Sequence, residues 1–528
     1  MHPTVLLGLD GATFRILNPL MERGIMPFLK NVASRGVRAV LMSTPNPLTP
    51  PAWISMTTGR PPGHHGIFDF IWSEEREKDH YFTLYNFRDI RCETIWERVS
   101  RHGGKVCVLN FPMTSPPPNV RGVVLPGLVS WKHLRLNVHP REVYDELKSI
   151  EGFDVKKLAW DFELEKKAEL GVPENEWEDW IRFHIEREHQ WSAVVRHFVS
   201  KREFDLLAVI FDGMDKLLHV AWRLLDLQEA CNLTQEETRV RDLCFEYFRR
   251  LDDALREIVQ LCDQRTRFFI ASDHGFGPSW LVFRVNTWLH DQGWLTWRED
   301  LDADEVTRAK IKKLTEKHFV RLDWGRTLAY AKTSASNGIY IRVAQEGRPG
   351  GVRPEAYESF RRELIDRLRQ IKDPETGTPI VKNILLKEEA FSGPHNQHAP
   401  DLTLVMADHS FISTRNLSPA VVRRAQVAGT HYPEGIFLAS GPNVRQGVSL
   451  ERLRITDVTP MLLYSLGVPL PEDFDADIPD GVFEPSLMQT QPVLRSSAVE
   501  SQGSVAQRRN VEEDEEVYKQ LRALGYIE

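Results

Sequence analysis

Three short apolar runs in this 528-residue chain each lead into an acidic residue, and that pattern limits the fold more than any other feature. Val5 to Leu9 precedes Asp10, Leu206 to Phe211 precedes Asp212 and Asp215, and Arg267 to Ala271 precedes Asp273 and His274. Continuous apolar runs of this length read as strands buried on both faces, the condition of a mainly parallel sheet. From Thr4 to about Ser279 such runs alternate with longer helical stretches, which predicts an α/β protein with helices covering both faces of the sheet. Val37 to Met42, Lys105 to Leu109 and Gly122 to Val124 are further strand candidates.

Two stretches break the alternation. Residues of about 140–201 form a Trp- and Glu-rich helical segment carrying Trp160, Trp177, Trp180 and Trp191, read as a helical insertion near the sheet edge. A second stretch, 282–392, is too long for a loop and is expected to be a cap subdomain. It holds a helix at Asn286 to Gly293, a charged run at Arg298 to Lys317, a strand at Gly338 to Val343 and a helix at Pro354 to Ile371. The core (1–281 and 393–488) is then expected to resume at Asp401 to Met406, with Thr456 to Leu466 as its closing helix. Residues 489–511 lack apolar periodicity and read as a disordered linker. Within 512–528, Glu512 to Leu524 reads as a terminal helix ending at Gly525.

Composition narrows the classes of function. The apolar content of 41%, charged content of 27% and net charge of -8 are those of an ordinary globular protein, and nothing electrostatic marks a nucleic-acid partner. Cys92, Cys107, Cys231, Cys244 and Cys262 form no CxxC pair, so buried reduced thiols are expected. No apolar run approaches the roughly 18 residues of a membrane span. With no basic leader at Met1-His2-Pro3, the expected compartment is the cytoplasm.

The chemistry lies where the runs end. Ligands of open α/β sheets gather at the carboxyl ends of strands, so Asp10, Asp215, His219, Asp273 and His274 can converge although far apart in sequence. Asp215 and His219 stand four apart, on one helical face and within reach of one cation. Asp273-His274-Gly275 can turn two ligands onto a metal, with Gly275 easing the turn. His431 lies in Gly429-Thr-His-Tyr-Pro433, just before the apolar run Ile436 to Ala439. Thr49 precedes Pro50 and Pro51, residues suited to a first helical turn, where free amides and the helix dipole favour a phosphate. Each also has a plain reading: a helix cap for Asp10 or Thr49, a surface pair for Asp215 and His219, a turn for His431.

Taken in order, the blocks Leu9-Asp10-Gly11, Thr49-Pro-Pro-Ala-Trp53 with Thr58-Gly59 and His65-Gly66, Asp215-x-x-x-His219, Ser272-Asp273-His274-Gly275 and Gly429-Thr-His431 resemble the alkaline phosphatase superfamily. Within it they resemble the type I phosphodiesterase/nucleotide pyrophosphatase family, in its prokaryotic phosphohydrolase and phosphomutase branch. The resemblance implies an alkaline-phosphatase-like core with two divalent metal ions, Zn²⁺ or Mn²⁺. Asp215, His219 and His431 would hold one, Asp10, Asp273 and His274 the other, with Thr49 as nucleophile and metal contact between them. It implies hydrolysis of a small phosphodiester or nucleotide pyrophosphate through a phosphothreonine intermediate. The family's phosphate-binding Asn, five residues past the His of the His-Gly pair, is Phe70 here, so another donor is needed. Arg60, Arg326 and Lys332 are the candidates. Monoester hydrolysis, phosphotransfer of the mutase type and a catalytically silent metal-binding scaffold are the competing readings.

Overall fold

The computed structural model describes residues 1–76, 79–158, 176–228, 232–298, 322–348 and 350–497. Its centre is an eight-stranded sheet in the order Val448–Arg454, Val37–Met42, Glu434–Ser440, Arg267–Ala271, Thr4–Leu9, Leu206–Phe211, Val106–Leu109, Gly122–Leu125. Every neighbouring pair is parallel except those made by Glu434–Ser440, which runs against both of its neighbours. Thr4–Leu9 and Leu206–Phe211 are buried at all six positions, as continuous apolar runs require. Two separate apolar layers cover the faces. One includes Leu7, Leu9, Val209 and the helices Trp177–Lys201 and Gln235–Leu261, and the other includes Leu6, Ile210, Trp53 and the helix Val458–Leu466.

The single reversed strand explains an asymmetry of the sequence. Asp10, Asp215 and Asp273 follow their strands, whereas His431 precedes its own. Because Glu434–Ser440 is antiparallel, its amino end lies at the same sheet edge as the carboxyl ends of the others.

The cap is larger than expected. Leu402–Met406 does not rejoin the core; it pairs antiparallel with Gly338–Ile341 and Val381–Leu386 in a four-stranded sheet completed by Ala329–Ala331. An apolar core of its own runs from Leu281 to Ile412 and takes in the helices Val285–Asp291 and Tyr357–Arg369. The core sheet resumes only at Glu434, after the long antiparallel ribbon of Gly275–Arg284 with Val421–Tyr432.

Helices Val143–Leu147, Val155–Leu158 and Trp177–Lys201 occupy the expected insertion; Trp160 lies outside the described residues. At the far end the chain stays in regular structure past 489. Pro485–Thr490 is helical and Arg495–Ser496 pairs with Leu470–Pro471, so packed chain extends into the stretch read as a linker. The charged run at 299–317 and the helix expected at Glu512 to Leu524 lie outside the described residues. Cys92, Cys107, Cys244 and Cys262 are free thiols, with Cys107 and Cys244 buried. Among the described residues no helix is long and apolar enough to cross a membrane.

Candidate active site

At the carboxyl edge of the sheet six side chains meet. His431 Nε2 lies 3.1 Å from Asp215 Oδ1 and 3.0 Å from His219 Nε2, and His219 Nε2 lies 3.5 Å from the same Asp215 oxygen. Beside this triangle, His274 Nε2 lies 3.5 Å from Asp10 Oδ1 and 3.2 Å from Asp273 Oδ2. The two groups abut, because the rings of His274 and His431 stack with centroids 3.5 Å apart. His274 also comes within 4.8 Å of the ligand atoms of Asp215 and His431, but its Nε2 already faces Asp10 and Asp273, whereas His219 lies within 3.5 Å of both and exposes 31% of its side chain. His219 is therefore the better third ligand of the first group.

These spacings have a simple meaning. Donor atoms 2.0–2.1 Å from a tetrahedral cation stand roughly 3.4 Å from one another. Distances of 3.0, 3.1 and 3.5 Å match one face of such a tetrahedron.

The electrostatics point the same way. Burial, and then the charges of Asp273 and Asp215, push Asp10 well above the usual carboxylate range, and burial with the Asp215 charge does the same to Asp273. Asp215 is also burdened by burial, but Lys216, 3.0 Å from its Oδ2, and His219 outweigh that and hold it well below. Burial drives His274 and His431 toward neutral imidazole, the form that binds metals. Asp10 Oδ1, Asp215 Oδ1, Asp273 Oδ2, His274 Nε2 and Thr49 Oγ1 are all buried without a hydrogen bond of acceptable geometry. Each such atom costs on the order of 1–3 kcal/mol, so the four that belong to the carboxylate–imidazole cluster call for a compensating partner. The carboxylate-imidazole donor set and its unsatisfied atoms fit two divalent cations, and this mixture suits Zn²⁺ or Mn²⁺.

Backbone carbonyls aim the rings, a feature no sequence motif announced. His431 Nδ1 bonds the Pro47 carbonyl at 2.9 Å and His274 Nδ1 the Gly275 carbonyl at 3.1 Å, which turns each Nε2 toward the carboxylates. Trp53 Nε1 donates to Asp10 Oδ2 at 3.2 Å, leaving Oδ1 to face His274. Gly275 serves a close approach, not a sharp turn: a Cβ there would stand 1.9 Å from the Glu434 carbonyl oxygen.

Thr49 opens the helix Thr49–Thr58 and is 6% exposed. Its segment is tied to three ligands: Ser43 Oγ donates to the Asp273 carbonyl at 2.6 Å, Pro47 accepts from His431, and Trp53 holds Asp10. The helix start is poorer in amides than expected. Leu48 is the N-cap, Pro50 and Pro51 carry no N–H, and the Ala52 N–H is taken by the Leu48 carbonyl. A row of free helix amides is therefore not on offer to a phosphate at this helix start.

Asn46 offers such chemistry and was missed from sequence. It is 3% exposed, its carbonyl accepts from Thr44 Oγ1 at 2.6 Å and from Leu48 N at 2.8 Å, and neither atom of its side-chain amide has a partner. Its place in the Pro-flanked loop three residues before Thr49 was the available signal.

The three cationic candidates fare differently. Arg60 sits past the C-terminal end of the helix that Thr49 opens, about 15 Å from its start, and is engaged by Asp473 and Asp475. Arg326 exposes 74% of its side chain and pairs with Asp323 at 3.9 Å. Neither contributes to the cluster: ion pairing at the wrong end of a helix accounts for the first and solvation for the second. Lys332 is buried, at 4% exposure, against the wall formed by Asp69 and Tyr340. Phe70, at the position of the expected Asn, packs with Leu48, Ile71 and Ala335.

Comparison with known proteins bears on the fold and the family. A phosphonoacetate hydrolase from Sinorhizobium meliloti 1021, solved with phosphonoformate, superposes with a TM-score of 0.53 at 16% identity over 88% of this chain and 95% of its own. Murine ectonucleotide pyrophosphatase/phosphodiesterase 5, solved as an inactive variant with AMP, gives 0.51 at 14% identity over 90% and 97%. At such identities the likeness is one of fold. No curated protein matches the sequence. The model of the family described as type I phosphodiesterase/nucleotide pyrophosphatase matches residues 4–434, and the chain belongs to that family.

Proposed function

We propose that the protein cleaves a phosphodiester or nucleotide pyrophosphate by in-line displacement at phosphorus, with Thr49 as the nucleophile. The observation that carries this reading is the set of five unsatisfied buried atoms, Thr49 Oγ1 among them, at one edge of the sheet. Asp215, His219 and His431 would hold one divalent cation and Asp10, Asp273 and His274 the other. When bound, such a pair supplies Lewis-acid charge and lowers the pKa of the attacking hydroxyl or water.

Thr49 Oγ1 would form the new bond to phosphorus while the bond to the leaving oxygen breaks on the opposite side, giving a phosphothreonine that water then hydrolyses. The Asn46 amide would donate to a non-bridging phosphoryl oxygen, the role that Phe70 cannot fill. That bond replaces an unmet donor by a charge-assisted one, so it is made when the phosphoryl group is present. Binding of AMP by the murine pyrophosphatase and of phosphonoformate by the bacterial hydrolase supports a small phosphoryl or phosphonyl compound as substrate.

Turnover of bis(p-nitrophenyl) phosphate against p-nitrophenyl phosphate, with Zn²⁺ or Mn²⁺ added to chelator-stripped protein, tests the reading. Diester turnover that returns with metal and disappears in Thr49→Ala, at unchanged metal content, is expected. Faster monoester turnover would favour the monoesterase alternative, and metal binding with no turnover of either ester would favour a silent scaffold.

A further inference from the structure

The cap sheet has two unlike faces. Ala329, Ala331, Ile339, Ile341, Leu402 and Leu404 point one way, into the apolar core shared with the cap helices. Side chains alternate along a strand, and residues paired across a ladder share a face. The pairings Tyr330↔Tyr340 and Gly338↔Thr403 therefore put Tyr330, Tyr340, Thr403 and, two residues past Tyr330, Lys332 together on the other face.

This second face is buried although it is polar. Lys332 is 4% and Thr403 1% exposed. Tyr340 Oη and Thr403 Oγ1 are both buried without a hydrogen-bond partner. The Lys332 ammonium lies 4.3 Å from the centre of the Tyr340 ring, and burial brings its pKa down to about 8 against the opposing pull of Asp69. The Asp69 carboxylate favours the charged ammonium, and both of its oxygens are also engaged by other donors. Its Oδ1 accepts from the Phe70 amide and its Oδ2 from Thr333 Oγ1, each at 2.6 Å. A buried ammonium on the same sheet face as two hydroxyls that lack acceptors is a costly arrangement, and a further anion would lower that cost.

The location fits a substrate extending from Thr49. Leu48, the residue before the nucleophile, packs with Phe70 and Ala335. Asp69 is one residue from Phe70, and Lys332 is three residues from Ala335, so the Lys332 Cα lies within about 10 Å of the Ala335 Cα. This is a distance suited to a group beyond the phosphoryl centre.

We propose that Lys332, Tyr340 and Thr403 form a cap subsite for a second anionic group on the substrate, a carboxylate or a further phosphoryl group. The subsite rests on the phosphoryl-transfer reading above and specifies its substrate class: compounds with two anionic ends, one of which reacts at Thr49. Lys332 supplies the charge and the two hydroxyls donate to the anion's oxygens.

Binding calorimetry with the metal-loaded full chain tests this. The probes are alkylphosphonates of two to five carbons, each compared with its ω-carboxy and its ω-phosphono counterpart. At one spacer length the second anion should tighten binding about tenfold, the worth of a hydrogen-bonded buried charge, and the better of the two counterparts identifies the group. That increment should vanish in Lys332→Met and shrink in Tyr340→Phe, a variant that alters one hydroxyl and keeps the ring. No increment at any spacer, or one that survives Lys332→Met, overturns the subsite alone. Failure of every alkylphosphonate to bind overturns the phosphoryl site and the subsite with it.

Discussion

Asp273→Asn separates a metal site from a structural acidic cluster by the sign of its effect on stability. Asp273 is fully buried, its Oδ1 accepts from the Gly11 amide at 3.2 Å, and its Oδ2 faces His274 and Asp10. Ligand atoms of Asp10, Asp273 and His274 lie within 4.8 Å of one another. Two carboxylates at that distance repel by about 3 kcal/mol at an effective dielectric constant of 20, and sharing a proton reduces this to roughly 1–2 kcal/mol. An amide of the same shape keeps the Gly11 contact and removes the repulsion. Metal-free Asp273→Asn should therefore be more stable than the metal-free wild type by roughly 1–2 kcal/mol.

With metal the order reverses. A cation at a thousand times its dissociation constant stabilises the wild type by about 4 kcal/mol, and the asparagine variant should lose most of that gain. Scanning calorimetry at one fixed rate, on chelator-stripped protein with and without Zn²⁺ or Mn²⁺, gives all four midpoints. A variant that is less stable without metal, yet shifted by metal as much as the wild type, would refute the assignment of Asp273 as a ligand.

Three further perturbations probe the surroundings. Trp53→Phe removes the donor that fixes Asp10 and should weaken one of two cation sites by about 10- to 100-fold in a competitive metal titration, leaving the other intact. Asn46→Ala should cut kcat for the diester by about 100-fold while leaving the unfolding midpoint unchanged or higher, because a buried amide without partners is removed. Burial, and then the Asp212 charge, raise Glu188 from 4.5 to about 8. The folded state thus holds a proton that the unfolded state releases, and wild-type stability should fall as pH rises from about 4.5 to 8. Glu188→Gln, which can still accept from Gly213 and Tyr247, should flatten that slope in unfolding measured across the window; an unchanged slope would assign the dependence to other groups.

The ligand cluster was legible because parallel strands buried on both faces leave an unbroken apolar signature, and each such run delivered its acidic residue to one edge. His431 needed the family resemblance, since nothing local says that Glu434–Ser440 runs backwards. The cap boundary was misjudged at Leu402–Met406, where an apolar run was given to the core. The sequence Leu-Thr-Leu-Val-Met contains a partial alternation, and the structure uses it: Leu402 and Leu404 enter the cap core, while Thr403 faces away. Charge alone could not rank Arg60 above or below Lys332. One lies at the far end of a helix whose start holds Thr49, and the other is carried to the site side by a strand more than 280 residues later.

That distinction bears on how the cap and the core divide the chemistry. Thr49, Asn46 and the six candidate ligands come from segments tied directly to the eight-stranded sheet, so the proposed reacting centre is set by that sheet. Lys332, Tyr340 and Thr403 come from a separate sheet with its own apolar core, hydrogen-bonded to the core at Asp69 through the Thr333 hydroxyl. Alteration of the cap face can therefore change which compound is held without moving the groups that break its bond. The Asp69–Thr333 contact couples the two. Breaking it with Thr333→Val should raise KM for a doubly anionic substrate more than it lowers kcat. Equal loss in both would mean that the cap positions the nucleophile as well as the substrate.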